Sequence, residues 1–118
     1  MLIADDEPDM RVLIGHVLRA AGIEVVAEAT TSDEAIDFWR EFRPDVIVLD
    51  QRMPPTTGVE VAGTILADDP TVVILLFSAA VDNEIRTAAA NAGIAACVSK
   101  ENVFEIPSIA QTHLDRRG

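Results

Sequence analysis

Cysteine is nearly absent: Cys97 stands alone among 118 residues, so no disulfide can form within the chain and a stapled secreted scaffold is excluded. A lone thiol fits a reducing, cytoplasmic compartment. It lies in an apolar run, where a small core residue is the favoured reading over a reactive thiol. Positive charge is scarce too. Twenty acids face nine cations, for a formal net charge of −11. Such a chain lacks the basic footprint that direct nucleic-acid binding requires. Eight of the nine cations are arginines, and the single lysine is Lys100. No apolar run approaches the roughly 20 residues of a membrane-spanning helix. No basic leader with a cleavage signature opens the chain, so secretion is not expected. Repeats, low-complexity tracts and long linkers are missing as well.

What is present is alternation of helical and strand patterns in one domain, with 49% hydrophobic residues, enough for a sizeable core. Met1 to Ala4 reads as a first strand. Pro8 suits a first helical turn. Met10, Leu13, Ile14, Val17, Leu18 and Ala21 then keep helical spacing up to Gly22. Glu24 to Ala29 reads as a second strand. Thr31 and Glu34 fit a capping box before the stripe Ala35, Phe38, Trp39 and Phe42, which stops ahead of Pro44. Val46 to Leu49 predicts the third strand. Gly58 precedes a helix with Val59, Ala62, Ile65 and Leu66 inward. Val72 to Phe77 is the fourth strand, and Asp82 caps a helix carrying Ile85, Ala88, Ala89 and Ala92. Ile94 to Val98 is the fifth strand. A last helix from about Glu105 carries Ile106, Ile109, Ala110 and Leu114.

The later strands are apolar without alternation, which implies burial on both faces and a parallel sheet between helical layers. The fold class is therefore α/β, a doubly wound (βα)5 five-stranded parallel sheet of order 2-1-3-4-5. The fourth helix, mostly alanine on its inner face, is expected to be weakly anchored, since each alanine removes little area from water.

Ligands in such sheets bind at the carboxyl ends of the strands. The first strand ends on Asp5 and Asp6, the third on Asp50, the fourth on Ser78, the fifth on Ser99 and Lys100. Strands one and three are neighbours in the expected order, so the three acids converge while Ser78 and Lys100 approach from the flank. Taken singly, each has a plain structural reading: a helix cap, a loop hydroxyl, a solvated lysine. Five residues of matching chemistry at four strand ends argue for a site. Converging carboxylates need a cation, and an all-oxygen set suits magnesium better than zinc. With Lys100 opposite, the site tolerates an incoming phosphoryl dianion at Asp50.

At these residues the chain resembles the receiver domain of two-component response regulators. "LIADDEP", "VIVLDQRMPPTTGVE", "LLFSAA" and "CVSK" follow that family's blocks in order and spacing across essentially all of 1–118. The resemblance implies a flavodoxin-like fold, with Asp50 as phospho-acceptor and Ser78 and Lys100 contacting the phosphoryl oxygens. Mg²⁺ would be held by Asp6, by Asp5 through water, by Asp50 and by the backbone carbonyl of Arg52. It also implies a phosphohistidine on a sensor histidine kinase or phosphotransfer protein as donor, and self-catalysed hydrolysis later. The surface of the fourth helix, fifth strand and fifth helix would change to control an output domain or effector, with homodimerisation on phosphorylation as one outcome. No membrane partner is implied. The chain ends just after the fifth helix, which leaves room for an output domain beyond it.

Three departures stand out. Cys97 occupies the switch position where the family usually has Phe or Tyr, so no aromatic swing can occur there. Glu101 replaces the frequent proline after the lysine, and a trans bond is expected at that place. "PPTT" stiffens the loop after the acceptor. Two other readings remain. A phosphorylation-independent interaction module would keep the fold alone. A haloacid dehalogenase-type phosphatase would need a D-x-D pair after the first strand, where this chain has adjacent acids.

Overall fold

The computed structural model describes residues 1–117. Its main sheet has five parallel strands: β1 (Leu2–Ala4), β2 (Ala27–Ala29), β3 (Val46–Asp50), β6 (Val73–Ser78) and β7 (Ala96–Ser99), ordered β2-β1-β3-β6-β7. Counting these five alone, the order is the expected 2-1-3-4-5. The additional strands β4 (Arg52–Met53) and β5 (Thr56–Thr57) form a small antiparallel hairpin directly after β3. The helices are α1 (Pro8–Ala20), α2 (Ser32–Phe42), α3 (Gly58–Asp68), α4 (Asn83–Ala92) and α5 (Ile106–Arg117). A 3-10 segment, Lys100–Glu105, joins β7 to α5.

The sheet divides the core into two layers. Leu2, Ala4, Ile47, Leu49, Ile74 and Leu76 point to one face, against Ala35 and Trp39 of α2, Val61, Ala62 and Ile65 of α3, and Ala89 of α4. Ile3, Val46, Val48, Val73, Leu75 and Phe77 point to the other, against Ile14, Val17 and Leu18 of α1 and Ile106 and Ala110 of α5. This is the period-two alternation of a strand buried on both faces, so the sequence shows no polar positions between them.

Several boundaries differ from the periodicity. Glu24–Val26 lie outside β2, which holds only three residues; Val26 bonds to the Met1 carbonyl without entering the ladder. The fourth and fifth sheet strands are shifted: each ends one residue later, at Ser78 and Ser99, and they begin later too, at Val73 and Ala96, leaving Val72, Ile94 and Ala95 outside the ladders. Phe42 is 46% exposed and leans on Phe38 at 6.3 Å between ring centroids. At the end of α2 the stripe has rotated past the core, so Phe42 is no core residue. Ala21 likewise is exposed. In the α2 box, Thr31 accepts from the Glu34 amide at 3.2 Å. The reciprocal bond lands one residue early: Glu34 accepts from the amide and hydroxyl of Thr30, and these contacts hold its carboxyl below the usual range.

In α4 the only fully buried residue is Ala89, whereas α3 buries Val61, Ala62 and Ile65. At roughly 1.5–3 kcal/mol per large buried aliphatic side chain, against about 0.8 for one methyl-sized group, α4 is the most loosely seated of the two. Its ends are defined locally, by Asp82 accepting from the Ile85 amide at 2.9 Å and by Gly93 at φ 88°. Among the described residues, no helix is long and apolar enough to cross a membrane.

Candidate functional site

The carboxyl ends of β1, β3 and β7 bring Asp5, Asp6, Asp50 and Lys100 together, while Ser78 closes the intervening β6 and makes its hydrogen bond elsewhere. Asp5 follows β1 and prolongs its ladder, donating its amide to the Ala29 carbonyl at 3.0 Å. Asp50 is the last residue of β3, opposite Phe77 in β6. Asp5 is fully buried and Asp50 is 2% exposed, while Asp6 is open to solvent. One carboxylate oxygen from each of Asp5, Asp6 and Asp50 lies within 4.8 Å of the others. Lys100, the first residue after β7, sends its ammonium into the cluster, 3.3 Å from Asp50 Oδ2, 3.8 Å from Asp5 Oδ2 and 3.6 Å from Glu7 Oε1.

Two neighbouring segments hold Asp50 still. Its Oδ1 accepts from the Arg52 amide at 3.1 Å. Behind it, Gln51 ties the end of β3 to the start of α3. Its carbonyl accepts from the Gly58 amide at 2.9 Å and its side-chain Oε1 from the Val59 amide at 3.1 Å. These bonds satisfy helix N–H groups that have no partner inside the helix. The backbones pack so closely that Gly58 has no room for a Cβ. The hairpin is anchored as well: Met53 is fully buried and the Pro54 carbonyl accepts from the Ser32 amide at 3.0 Å.

The charges do not balance. Two unit charges about 4 Å apart interact with about 4 kcal/mol at an effective dielectric of about 20, and one ammonium serves three nearby acids. Burial, the largest influence, pushes the Asp5 carboxyl up to about 7; the Glu7 amide at 2.8 Å pulls the other way, and the Asp50 charge adds to the rise. Burial alone would lower the Lys100 ammonium, but Asp5 and Asp50 outweigh it and its pKa is raised. Asp5 Oδ2 is buried without a hydrogen-bond partner. A cluster of carboxylates containing an orphaned buried oxygen fits a hard divalent cation with oxygen ligands.

Of the other residues singled out in the sequence, Ser78 closes β6 and is buried, its hydroxyl donating to the Ala80 carbonyl at 3.0 Å. Arg52 meets Asp50 through its amide, with its side chain exposed. Cys97 sits on β7 beside Leu76 and packs half-buried against the α4 side of the core. Burial pushes its thiol up, against the pull of Arg86. Among the described residues the cis peptide bond is Pro54–Pro55, so Lys100–Glu101 is trans. Ser99 accepts from the Glu101 amide at 3.3 Å and caps the 3-10 segment. Sequence reasoning missed Glu7 as a partner of Lys100. The signal was a third consecutive acid immediately before the helix-starting Pro8.

Comparison with known proteins gives a consistent result. The family model for the response regulator receiver domain matches residues 1–109. The chemotaxis protein CheY of Thermotoga maritima is 35% identical over 79 residues, 67% of this chain and 66% of that protein. A protein-glutamate methylesterase/protein-glutamine glutaminase of Haloarcula marismortui is 41% identical over 75 residues, 64% of this chain and 20% of that protein. The matched stretch is thus less than two thirds of either relative. Among solved structures, the signal receiver domain of the response regulator NarL from Mycobacterium tuberculosis superposes with a TM-score of 0.86 at 29% identity, covering 98% of this chain and 93% of that one.

Proposed function

The chain belongs to the response regulator receiver domains, and from that premise we propose that it is a phosphorylation-dependent switch whose acceptor is Asp50. Members of this family act as signalling switches and not as classical enzymes. The observation that supports the assignment is the buried Asp50 carboxylate, 3.3 Å from the Lys100 ammonium and within reach of Asp5 and Asp6.

In this reading an Asp50 oxygen attacks phosphorus as the P–N bond of a phosphohistidine breaks. The electron pair returns to the imidazole, which takes up a proton. Phosphoryl transfer asks for alignment and for neutralised equatorial oxygens more than for covalent assistance. Asp50 is aligned by the Arg52 amide. Lys100 can move from the carboxylates to a phosphoryl oxygen, and the Ser78 hydroxyl can do the same by giving up the Ala80 carbonyl. Asp5, Asp6, Asp50 and the Arg52 backbone carbonyl are the proposed holders of Mg²⁺, which when bound would supply the charge that Lys100 alone cannot. The partners follow from the family: a sensor histidine kinase or phosphotransfer protein upstream, and an output domain or effector downstream that reads the α4–β7–α5 surface, with or without homodimerisation. We assign residues 1–118 to this one domain and place it in the cytoplasm, with no direct nucleic-acid or membrane contact.

Beryllofluoride with Mg²⁺ mimics an aspartyl phosphate. Added to the ¹⁵N-labelled chain, it should move the amide signals around Asp50, Ser78 and Lys100 and leave Asp50→Asn unchanged. No response of the wild type at millimolar ligand would overturn the switch and favour a phosphorylation-independent interaction module. The Cys97 replacement of an aromatic motivates that alternative.

A further inference from the structure

We propose that Arg11, on α1 and outside the carboxylate cluster, is a positioning residue that aims Asp5 and Asp6 at a divalent cation. The inference rests on reading that cluster as a metal site. Helical side chains lean toward the N-terminus, and Arg11 reaches back over the first turn of α1 to donate from Nη1 to the Asp5 carbonyl at 2.8 Å. That carbonyl precedes the helix and has no ladder partner there, so without the guanidinium a half-buried acceptor would need water.

The carbonyl belongs to the peptide unit that joins Asp5 to Asp6. Turning this unit would swing both Cα–Cβ directions, and with them both carboxylates. Asp5 is otherwise held by its amide on Ala29 and by the Glu7 amide on Oδ1. Arg11 supplies the third restraint, and Oδ2 is left as the buried oxygen without a hydrogen bond.

Arg11 is itself held. Its side chain is 18% exposed, and Nε lies 3.8 Å from Glu28 Oε1, while Arg19 Nη2 lies 3.8 Å from Oε2 of the same carboxylate. Glu28 stands on β2 opposite Ile3 of β1. The guanidinium therefore bridges the edge strand and the β1–α1 loop. Ion pairs this open contribute little energy, so the contribution is geometric.

The test uses the full chain. Arg11→Met should weaken Mg²⁺ binding about 10-fold, the scale of losing a group that orients a metal ligand. Arg11→Lys, which keeps one donor, should recover part of it. Arg19→Met, which disturbs Glu28 but not Asp5, should bind as wild type. A metal-free readout runs beside this: hydrogen exchange at the Glu7 amide should quicken several-fold in Arg11→Met and not in Arg19→Met. Should Arg11→Met fail to fold, Arg11→Gln is read the same way. Wild-type affinity and wild-type Glu7 exchange in a folded Arg11 variant overturn the inference alone, as does an equal loss in Arg19→Met. A wild-type chain indifferent to Mg²⁺ overturns the metal reading itself.

Discussion

Gly58 begins α3 at the point where its backbone lies against Asp50 and Gln51, and Gly58→Ala tests how tightly that contact is set. A Cβ there would stand 2.5 Å from the Asp50 carbonyl oxygen, 2.8 Å from Leu76 Cδ1 and 3.0 Å from Gln51 Cα. Unstrained carbon contacts sit near 3.5–4.0 Å. Leu76 could rotate, but two of the three neighbours are backbone, one of them that of Asp50. Overpacking of this kind costs about 1–3 kcal/mol, and rigid neighbours favour the upper half of that range. The intrinsic helix preference of alanine returns at most about 1 kcal/mol, leaving a net loss of about 2 kcal/mol. For a chain between the small and medium size classes this lowers the melting temperature by about 6–12 °C. Gly63→Ala, on the same helix with nothing within 4 Å of the added carbon, should gain about 0.5–1 kcal/mol and melt higher than wild type. Circular-dichroism melts of the three proteins decide the matter. If Gly58→Ala melts within a degree of wild type, the contact is not rigid and the account of how Asp50 is held is wrong. Beryllofluoride affinity should fall in Gly58→Ala and stay constant in Gly63→Ala.

Three more expectations concern the carboxylate cluster and α4. With the Asp5 carboxyl pushed from 3.8 up to about 7, the metal-free fold keeps a proton that the unfolded chain loses, so stability should fall as pH rises from about 4 through about 7 and level off above it. Urea titrations along that series check the sign, and Mg²⁺ should flatten the slope. Lys100→Met removes the ammonium proposed to face the phosphoryl group and should slow labelling of Asp50 by acetyl phosphate about 10²-fold, by analogy with the loss of one oxyanion donor; an unchanged rate would remove Lys100 from the chemistry. Asp82→Ala deletes the α4 cap at a cost of about 1 kcal/mol. Because that helix buries only Ala89, the effect should appear as faster amide exchange across 83–92, with the melting temperature lowered by about 3–6 °C.

The fold was legible because the sheet is buried on both faces. Uninterrupted apolar strands and helix stripes with clear caps leave few topologies, and the strand order then predicts which carboxyl ends meet. What could not be read was short or tertiary. The hairpin of Arg52–Met53 with Thr56–Thr57 has two residues per strand, too few for any period, and it is set by the burial of Met53. Glu28 looks like an ordinary strand residue until Arg11 and Arg19 arrive from another element. The spacing of Phe42 is helical and points inward, yet the core ends one turn sooner. The Thr31 and Glu34 pattern predicts a cap, but the back-reaching bond settles on Thr30, whose hydroxyl adds a second donor.

The two groups proposed to grip a phosphoryl dianion are moored to different halves of the molecule. Lys100 runs straight into the 3-10 segment, whose Val103 is buried in the same layer as Phe77, the one shared with α1 and α5. Ser78 continues into residues 79–82, which lead to the lightly seated α4 in the opposite layer. A ligand drawing on both would find one mooring stiff and the other slack. Displacement would then run down a single side of the sheet, giving the domain a directional output without any aromatic lever at Cys97.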